Sequence, residues 1–308
     1  MQKYELAIIG GGPAGTTAAV YAARKKLKST IITDDWGGQS NVSEDIQNWI
    51  AIPHISGKEL GEKFKAHVEE YADDVVDIKY PTRVEEISQT QDGFTLKLTN
   101  GESFEAENLF LGLGSVRRKL QTKGADEFEH KGVTYCATCD GPMFTGKDVV
   151  VVGGGNAGFE SAAQLLAYVN SVTLLEYGEN FKADPGTVEK LQTNPKFTGV
   201  TNAELTELYG DSFLQGLKYK DRISGEEKDL KVQGVFVEIG AVPNTDLVKD
   251  LVKLNDYGQI EIDPWVNSTS NEHIWAAGDC TNIVYHQNNI ASGDAVKALE
   301  DIYKKLRS

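Results

Sequence analysis

Cysteine is scarce. The chain of 308 residues has only three, at 136, 139 and 280. That is too few for the disulfide framework of a small secreted domain, so the close pair reads as one redox couple in a cytoplasmic protein. Zinc is a poor reading of that pair, because Cys280 and the five histidines offer no second ligand pair at the usual spacing; no metal is expected. Positive charge is also short: 31 Lys and Arg face 46 Asp and Glu, for a net charge of −15 at pH 7. No basic run is long enough to grip a phosphate backbone, which argues against nucleic acid and anionic membrane as partners. The acidity reads first as solubility and second as a match for a basic docking face. No apolar run approaches the roughly 20 residues needed to span a bilayer. The N-terminus enters a strand, Tyr4 to Ile9, without the charged start and long apolar core of a signal peptide.

Glycine, by contrast, is abundant and patterned. Leu6-Ala7-Ile8-Ile9 leads into Gly-Gly-Gly-Pro-Ala-Gly at 10–15, and Val149 to Val152 leads into Gly-Gly-Gly-Asn-Ala-Gly at 153–158. Each is followed by an Ala-rich stretch that reads as helix, Thr16 to Lys26 and Phe159 to Val169. Each then returns to an apolar strand, Ser29 to Thr33 and Ser171 to Glu176. A lone G-x-G-x-x-G is a weak signal; two in the same strand–glycine–helix–strand setting mark two βαβ units. In such a turn the first Gly makes the tight bend, the second admits a pyrophosphate and the third lets helix pack on strand. Those roles fall to Gly10, Gly12 and Gly15 in the first unit and to Gly153, Gly155 and Gly158 in the second.

The residue at the end of the second strand reads the ribose. In the second unit this is Glu176, whose carboxylate can accept from a 2′-hydroxyl and would repel a 2′-phosphate. The plainer reading is a solvated strand-end charge. Tyr177-Gly178-Glu179-Asn180 follow without Arg or Lys, and Lys182 is the nearest cation along the chain. The pattern favours NADH over NADPH. In the first unit Thr33 and Asp34 stand at the equivalent place.

Between the units a helix is expected over Gly57 to Tyr71, and an antiparallel strand at Phe94 to Leu98 with a hairpin signal at Thr99 to Glu102. Leu109 to Leu111 ends in Gly112-Leu113-Gly114, a plausible domain exit. After the second unit, Gly216 to Tyr219 and Val232 to Glu238 are read as flanking the turn Ile223 to Glu226, with Gly240 to Asn244 as the return crossing. The tail reads as a strand, His273 to Ala277, then Gly278-Asp279, then an amphipathic helix over about Ile290 to Leu306.

Just ahead of the second glycine turn stands Cys136-Ala137-Thr138-Cys139-Asp140. Two thiols at this spacing can close into a disulfide and reopen, and an acid beside them can shuttle the proton. A plain surface disulfide is the bland alternative.

Taken together the motifs carry a resemblance. The chain resembles the low-molecular-weight, bacterial-type thioredoxin reductases over nearly its whole length. The landmarks are Gly10 to Gly15, Gly37 to Gln39, Asp45 to Trp49, Cys136 to Gly141, Gly153 to Gly158, Val242 to Thr245 and Ala276 to Cys280. The resemblance implies an α/β fold of two Rossmann-like three-layer domains, the second inserted into the first. An FAD-binding domain would comprise 1–115 and 244–308, and an NAD(P)-binding domain carrying the redox cysteines would comprise 116–243. It also implies a homodimer. FAD would lie on Gly10, Gly12, Pro13, Ala14, Gly15, Thr33, Asp34, Gly38, Gln39 and Asn48. Gly278 and Asp279 would complete that set, with His286, Gln287 and Asn288 near the ring. The nicotinamide dinucleotide would lie on Gly153, Gly155, Asn156, Ala157, Gly158, Glu176 and Tyr177. Cys139 would face the flavin, Cys136 would be the outer attacking thiol, and Asp140 their acid and base.

Departures from that family are informative. It carries a His-Arg-Arg run after the second strand, where this chain has Glu176-Tyr177-Gly178, and two aromatics after the Cys-x-x-Cys-Asp-Gly, where this chain has Pro142-Met143. Both lean towards the NADH-using flavoprotein component of alkyl hydroperoxide reductase. That component carries an extra N-terminal thioredoxin-like domain not seen in this sequence, so the carrier is expected to be separate: a thioredoxin-like or glutaredoxin-like protein, or an adaptor in a peroxiredoxin system. His286 stands where the family often has Arg, and its plainer reading is a hydrogen-bonded loop histidine. Cys280 reads as a small buried residue. The crossings at Gly112 to Arg117 and Gly240 to Asn244 are expected to act as hinges. Two other readings remain: a related flavoprotein reduced by ferredoxin or another flavoprotein, and a non-enzymatic redox- or nucleotide-sensing module.

Overall fold

The structure, a computed structural model, describes residues 2–43 and 45–307. The chain divides into two compact units, Met1–Val116 with Val242–Ser308, and Arg117–Ala241.

The first unit begins with β1 (Lys3–Ile9), α1 (Pro13–Arg24) and β2 (Ser29–Ile32). A longer helix α2 (Gly57–Ala72) follows, then β3 (Val76–Lys79), β4 (Val84–Thr90), β5 (Gly93–Leu98) and β6 (Ser103–Leu111). Ser56 caps α2, its hydroxyl accepting from the Glu59 backbone N–H at 3.2 Å, the Ser-x-x-Glu arrangement that supplies an otherwise missing partner at a helix start. The sheet runs β3-β2-β1-β6-β5-β4. Its β3 to β6 core is parallel, while β5 is antiparallel to both β6 and β4.

The chain then crosses at β7 (Ser115–Arg117) and enters the second unit: β8 (Val133–Thr134), α3 (Ala137–Asp140), β9 (Asp148–Val152), α4 (Asn156–Leu165), β10 (Ser171–Leu175), α5 (Pro185–Gln192) and β11 (Phe197–Val200). An antiparallel meander follows, β12 (Ala203–Gly210), β13 (Leu214–Asp221) and β14 (Glu227–Leu230), then β15 (Gly234–Val237). The parallel sheet runs β11-β10-β9-β15-β8. Alternation along β9 makes the three layers plain. Val149 and Val151 pack with Phe159, Ala162 and Leu165 of α4, and Val150 and Val152 pack with Leu208, Leu214 and Leu217 of the meander.

Contrary to expectation, Val232 to Glu238 is not the far side of the turn at 223–226. That place belongs to β14, which pairs Leu217 with Leu230 through Lys220 with Glu227. β14 alternates exposed and half-buried, as an edge strand does, whereas all four residues of β15 are buried. A strand covered on both faces belongs inside a parallel sheet, and β15 lies between β9 and β8. The helix α4 also starts three residues before the expected Phe159 and stops at Leu165.

The return crossing β16 (Ala241–Pro243) pairs with β7. Back in the first unit, β17 (Ile274–Ala276) pairs with the end of β6, Leu109 to Leu111, and α6 (Asn288–Arg307) closes the chain. Alanines make the close fit of α1 and α6 possible: Ala18, Ala19, Ala22 and Ala23 share one core with Ala291, Ala295 and Ala298. Among the described residues no helix is long and apolar enough to cross a membrane.

Candidate active site

The first glycine turn lies between β1 and α1. Gly10 has φ +114°, and a Cβ there would come within 2.2 Å of the Gly112 carbonyl oxygen. A Cβ on Gly15 would fall 1.8 Å from the Gly10 oxygen, so helix and turn touch backbone to backbone. Gly12 caps α1 with no side-chain hydrogen bond, followed by Pro13, and a Cβ on Gly12 would meet nothing within 4 Å. Free N–H groups therefore face open space at a helix start, where an anion is favoured.

Other residues assigned to the same cofactor gather at this turn. The Gly37 N–H donates to the Gly11 oxygen at 2.9 Å, and a Cβ on Gly38 would stand 3.5 Å from the Gly12 Cα. Gly278, φ +80°, approaches Ala14 of α1 and Ala291 of α6, each 3.5 Å from where its Cβ would be, and the half-buried Asp279 follows it. The Asn48 amide donates to the Gln287 oxygen at 3.0 Å, Asn289 donates to the Asn48 carbonyl at 2.7 Å, and the Ser40 hydroxyl bonds the Asn288 side chain at 3.2 Å. Gln39 donates to Ser115, to its hydroxyl at 3.0 Å and to its carbonyl. His286 is not a satisfied loop histidine: its Nε2 is buried with no hydrogen-bond partner among the described residues. A buried polar atom left without a partner is costly, and a ring edge of a bound cofactor is the kind of group that would supply one.

Thr33 is buried, its hydroxyl lying against Gly11 and donating to the Asp35 carbonyl. Asp34 is exposed and ion-paired with Arg83, a residue the sequence did not suggest for this site.

The second turn repeats the first. Gly153 has φ +120° and its Cβ would meet the Glu238 oxygen at 2.3 Å; a Cβ on Gly158 would fall 1.8 Å from the Gly153 oxygen. Gly155 caps α4 without a side-chain bond and faces open space, as Gly12 does. Asn156 and Ala157 form the first turn of that helix, and the Asn156 side-chain oxygen accepts from the Asp184 N–H at 2.8 Å. Glu176 is not a solvated charge: it is 9% exposed, and its two oxygens accept from the N–H groups of Gly154 at 2.7 Å and Gly178 at 2.6 Å. That carboxylate is fixed beneath the turn, with lone pairs left for a ribose hydroxyl. Lys182 is the nearest cation only along the chain. In space Arg222, from the turn joining β13 to β14, stands over the Tyr177 ring with its guanidinium carbon 3.9 Å from the centroid. Each turn has the open, uncapped form that a dinucleotide pyrophosphate needs, so the residues present fit both cofactors.

The redox motif precedes this turn. Cys136 and Cys139 are joined in a disulfide with Cα atoms 5.3 Å apart. Cys136 caps α3, its sulfur accepting from the Cys139 N–H at 3.2 Å. Asp140, at the end of that helix, accepts from the Thr134 hydroxyl. Burial raises its carboxyl above the ordinary value; the Thr134 bond and the charges of His130 and Arg117 pull the other way. A second acid missed in the sequence is Glu238, at the end of β15. It accepts from the Ser161 hydroxyl at 2.6 Å and is raised mainly by burial. Cys280 is fully buried, and burial pushes its thiol up to about 12.

The sequence pattern of the pyridine nucleotide-disulphide oxidoreductases matches residues 4–295. Among curated relatives, an NADH dehydrogenase of Bacillus subtilis is 40% identical over 297 residues, covering 96% of this chain and 57% of that protein. An alkyl hydroperoxide reductase component of Escherichia coli is 38% identical over 296 residues, with 96% and 57% covered. The chain thus spans a little over half the length of these relatives. Among solved structures, thioredoxin reductase from Streptococcus pyogenes matches with a TM-score of 0.89 and 32% identity, covering 99% of this chain and 98% of that one. The thioredoxin reductase of Giardia duodenalis gives 0.92 and 29%, with both chains covered in full. Two glycine turns, a paired Cys-x-x-Cys and these likenesses lead to one conclusion: the chain belongs to the pyridine nucleotide-disulphide oxidoreductase family and has the fold of the thioredoxin reductases.

Proposed function

We propose that the chain is an FAD-dependent reductase that takes two electrons from a nicotinamide dinucleotide, NADH in preference to NADPH. It delivers them through the Cys136–Cys139 disulfide to a thioredoxin-like protein disulfide. The observation that carries this reading is the closed Cys136–Cys139 pair with the buried acid Asp140 beside it, in the same compact unit as an uncapped glycine turn.

The first turn, with Gly12, Pro13, Ala14 and Gly15, would hold FAD; Gln39, Asn48, Asp279, His286, Gln287 and Asn288 would surround the rest of it. The second turn, with Asn156, Ala157, Glu176 and Tyr177, would hold the dinucleotide. When bound, FAD would supply the relay of two electrons from a hydride donor, which is oxidised, to the disulfide, which is reduced to a dithiol. The remaining chemistry belongs to the chain. Reduction of the Cys136–Cys139 bond takes two electrons and two protons, and Asp140, whose carboxyl burial raises, is placed beside the pair to take up and return one of those protons. The Cys136 thiolate attacks one sulfur of the partner's disulfide and expels the other as a thiolate, which takes up a proton. Cys139 then attacks the mixed disulfide at the Cys136 sulfur, the partner leaves as a dithiol, and the original bond reforms. Glu176 supports the preference for NADH, since its buried carboxylate accepts hydroxyl donors and opposes a 2′-phosphate. The 38% identity to the Escherichia coli alkyl hydroperoxide reductase component, with Pro142-Met143 after the redox motif, supports a carrier that serves a peroxiredoxin.

Anaerobic mixing with NADH and with NADPH, followed at the flavin absorbance, tests the proposal. NADH should bleach the flavin with a kcat/KM about tenfold or more above that for NADPH, and denatured samples should then show new thiols at Cys136 and Cys139. Bleaching by neither nucleotide would sink the reading. Bleaching without new thiols would remove the disulfide from the route.

A further inference from the structure

We propose that Tyr177 and Arg222 together form the platform on which the adenine ring of the nicotinamide dinucleotide stacks. The inference rests on the reading of the second glycine turn as a dinucleotide site, and it assigns that site a residue from a different part of the unit.

The position is set by Glu176. Its carboxylate is pinned at the end of β10 by Gly154 and Gly178, where a ribose hydroxyl is read in this kind of fold. The base attached to that ribose lies just beyond, and the next residue is Tyr177, with 58% of its surface exposed. Arg222 covers this ring, its guanidinium carbon 3.9 Å from the centroid, while its Nη1 donates to the Tyr177 carbonyl at 2.9 Å. That bond holds the guanidinium over the ring and leaves Arg222 a face for another flat group.

The pair is anchored from below. Arg222 donates its N–H to the Asn202 oxygen at 2.8 Å, Asn202 donates to Gly178 at 2.9 Å, and Ala203 donates to Glu176 at 2.9 Å. The hairpin turn and the strand end therefore move as one piece. The charge of Arg222 is also uncommitted. Among the described residues no carboxylate lies within ion-pair distance of it, in a chain with an excess of acids. Its neighbour Asp221 turns away to accept from the N–H groups of Ile223 at 2.8 Å and Ser224 at 3.1 Å. An exposed aromatic ring and a planar cation without an acid, both at the adenosine end of the site, suit a heteroaromatic base. A 2′-phosphate suits them less, because Glu176 would repel it and one guanidinium nitrogen is already engaged.

The test uses the FAD-loaded protein and three probes: ADP-ribose, NADH and reduced nicotinamide mononucleotide, which has no adenosine. Arg222→Ala should weaken ADP-ribose binding and raise the NADH KM by about fivefold, with kcat at saturating NADH retained. The advantage of NADH over the mononucleotide should fall by the same factor. Arg222→Lys should recover only part of the loss, since an ammonium lacks the planar face. Flavin content and thermal midpoint establish that each variant is folded. An unchanged NADH KM and unchanged ADP-ribose affinity would overturn the platform. So would a loss confined to NADPH, which would make Arg222 a reader of phosphate, and so would an absence of ADP-ribose binding by the parent protein. If neither nicotinamide reduces the flavin yet Arg222→Ala still weakens ADP-ribose, the proposed function fails and the platform stands.

Discussion

Gly10 and Gly153 carry nearly the same backbone angle, φ +114° and +120°, and each packs where a Cβ would strike a carbonyl oxygen. Gly15 and Gly158 would each place a Cβ 1.8 Å from the turn's own oxygen, and Gly12 and Gly155 both face open space. The two units diverge one strand later. In the first, Thr33 is tucked against the loop and Asp34 pairs with Arg83 at the surface. In the second, a buried Glu176 holds two loop N–H groups and Tyr177 stacks with Arg222. Both arginines come from the antiparallel part of their unit, Arg83 beside β4 and Arg222 from the turn after β13. The glycine turn makes room for a pyrophosphate of any dinucleotide; the choice among dinucleotides lies in the strand end and in what the antiparallel layer brings to it.

The comparison can be broken most strongly at the glycines. Gly15→Ala and Gly158→Ala should each cost about 3 kcal/mol or more in urea denaturation, because backbone must move to admit the methyl group. Gly12→Ala and Gly155→Ala should change stability by less than about 0.5 kcal/mol, since nothing stands near the new Cβ. They should instead weaken a dinucleotide by about tenfold or more. The division of labour is then read directly: Gly12→Ala should lower flavin content, and Gly155→Ala should keep the flavin but slow its bleaching by NADH. If both open-position variants affect the same cofactor, the assignment of one turn to each is wrong.

A smaller effect is read by pH. The second unit holds Asp140, whose carboxyl burial raises, so the folded chain keeps a proton that the unfolded chain has released. Stability must fall as pH rises from the ordinary carboxylate range through the raised value, the penalty being absent below that window and full above it. Asp140→Asn removes this titration. The midpoint of the variant, measured against pH, should gain on the parent across the window; parallel curves would show that Asp140 titrates normally. Smallest of all is the expected response of Cys280, which lies in the first unit. With its thiol pushed up to about 12, on the order of one molecule in 10⁴ is thiolate at pH 8. After reduction, iodoacetamide should modify Cys136 and Cys139 while Cys280 stays free until the chain is denatured. Labelling of Cys280 in the folded protein would show that its surroundings open.

Much of the scaffold was legible because its demands are local. β1, β9, α2 and α6 follow apolar runs and faces that a short window contains, and α1 follows its Ala-rich stretch, though it starts at Pro13 rather than Thr16 because Gly12 is its cap. The boundary errors have physical causes. α4 begins at Asn156 because Gly155 is its cap. The place of Val232 to Glu238 is not legible locally, because a strand's neighbour depends on which faces are covered, and a run of apolar residues does not say where its partner lies in the chain. His286 was legible as a position and not as a state, since only the packed loop shows that its Nε2 is left without a partner.

By itself, then, the sequence determined the two glycine turns, the disulfide spacing and the acid after it, because tight backbone bends and a four-residue loop are settled by residues a few places apart. The tertiary structure decided which charges stand at the strand ends. Arg222 reaches Tyr177 across 45 residues and Arg83 reaches Asp34 across 49. Contacts of that separation form only once the sheets have closed the intervening loops and brought the chain back on itself.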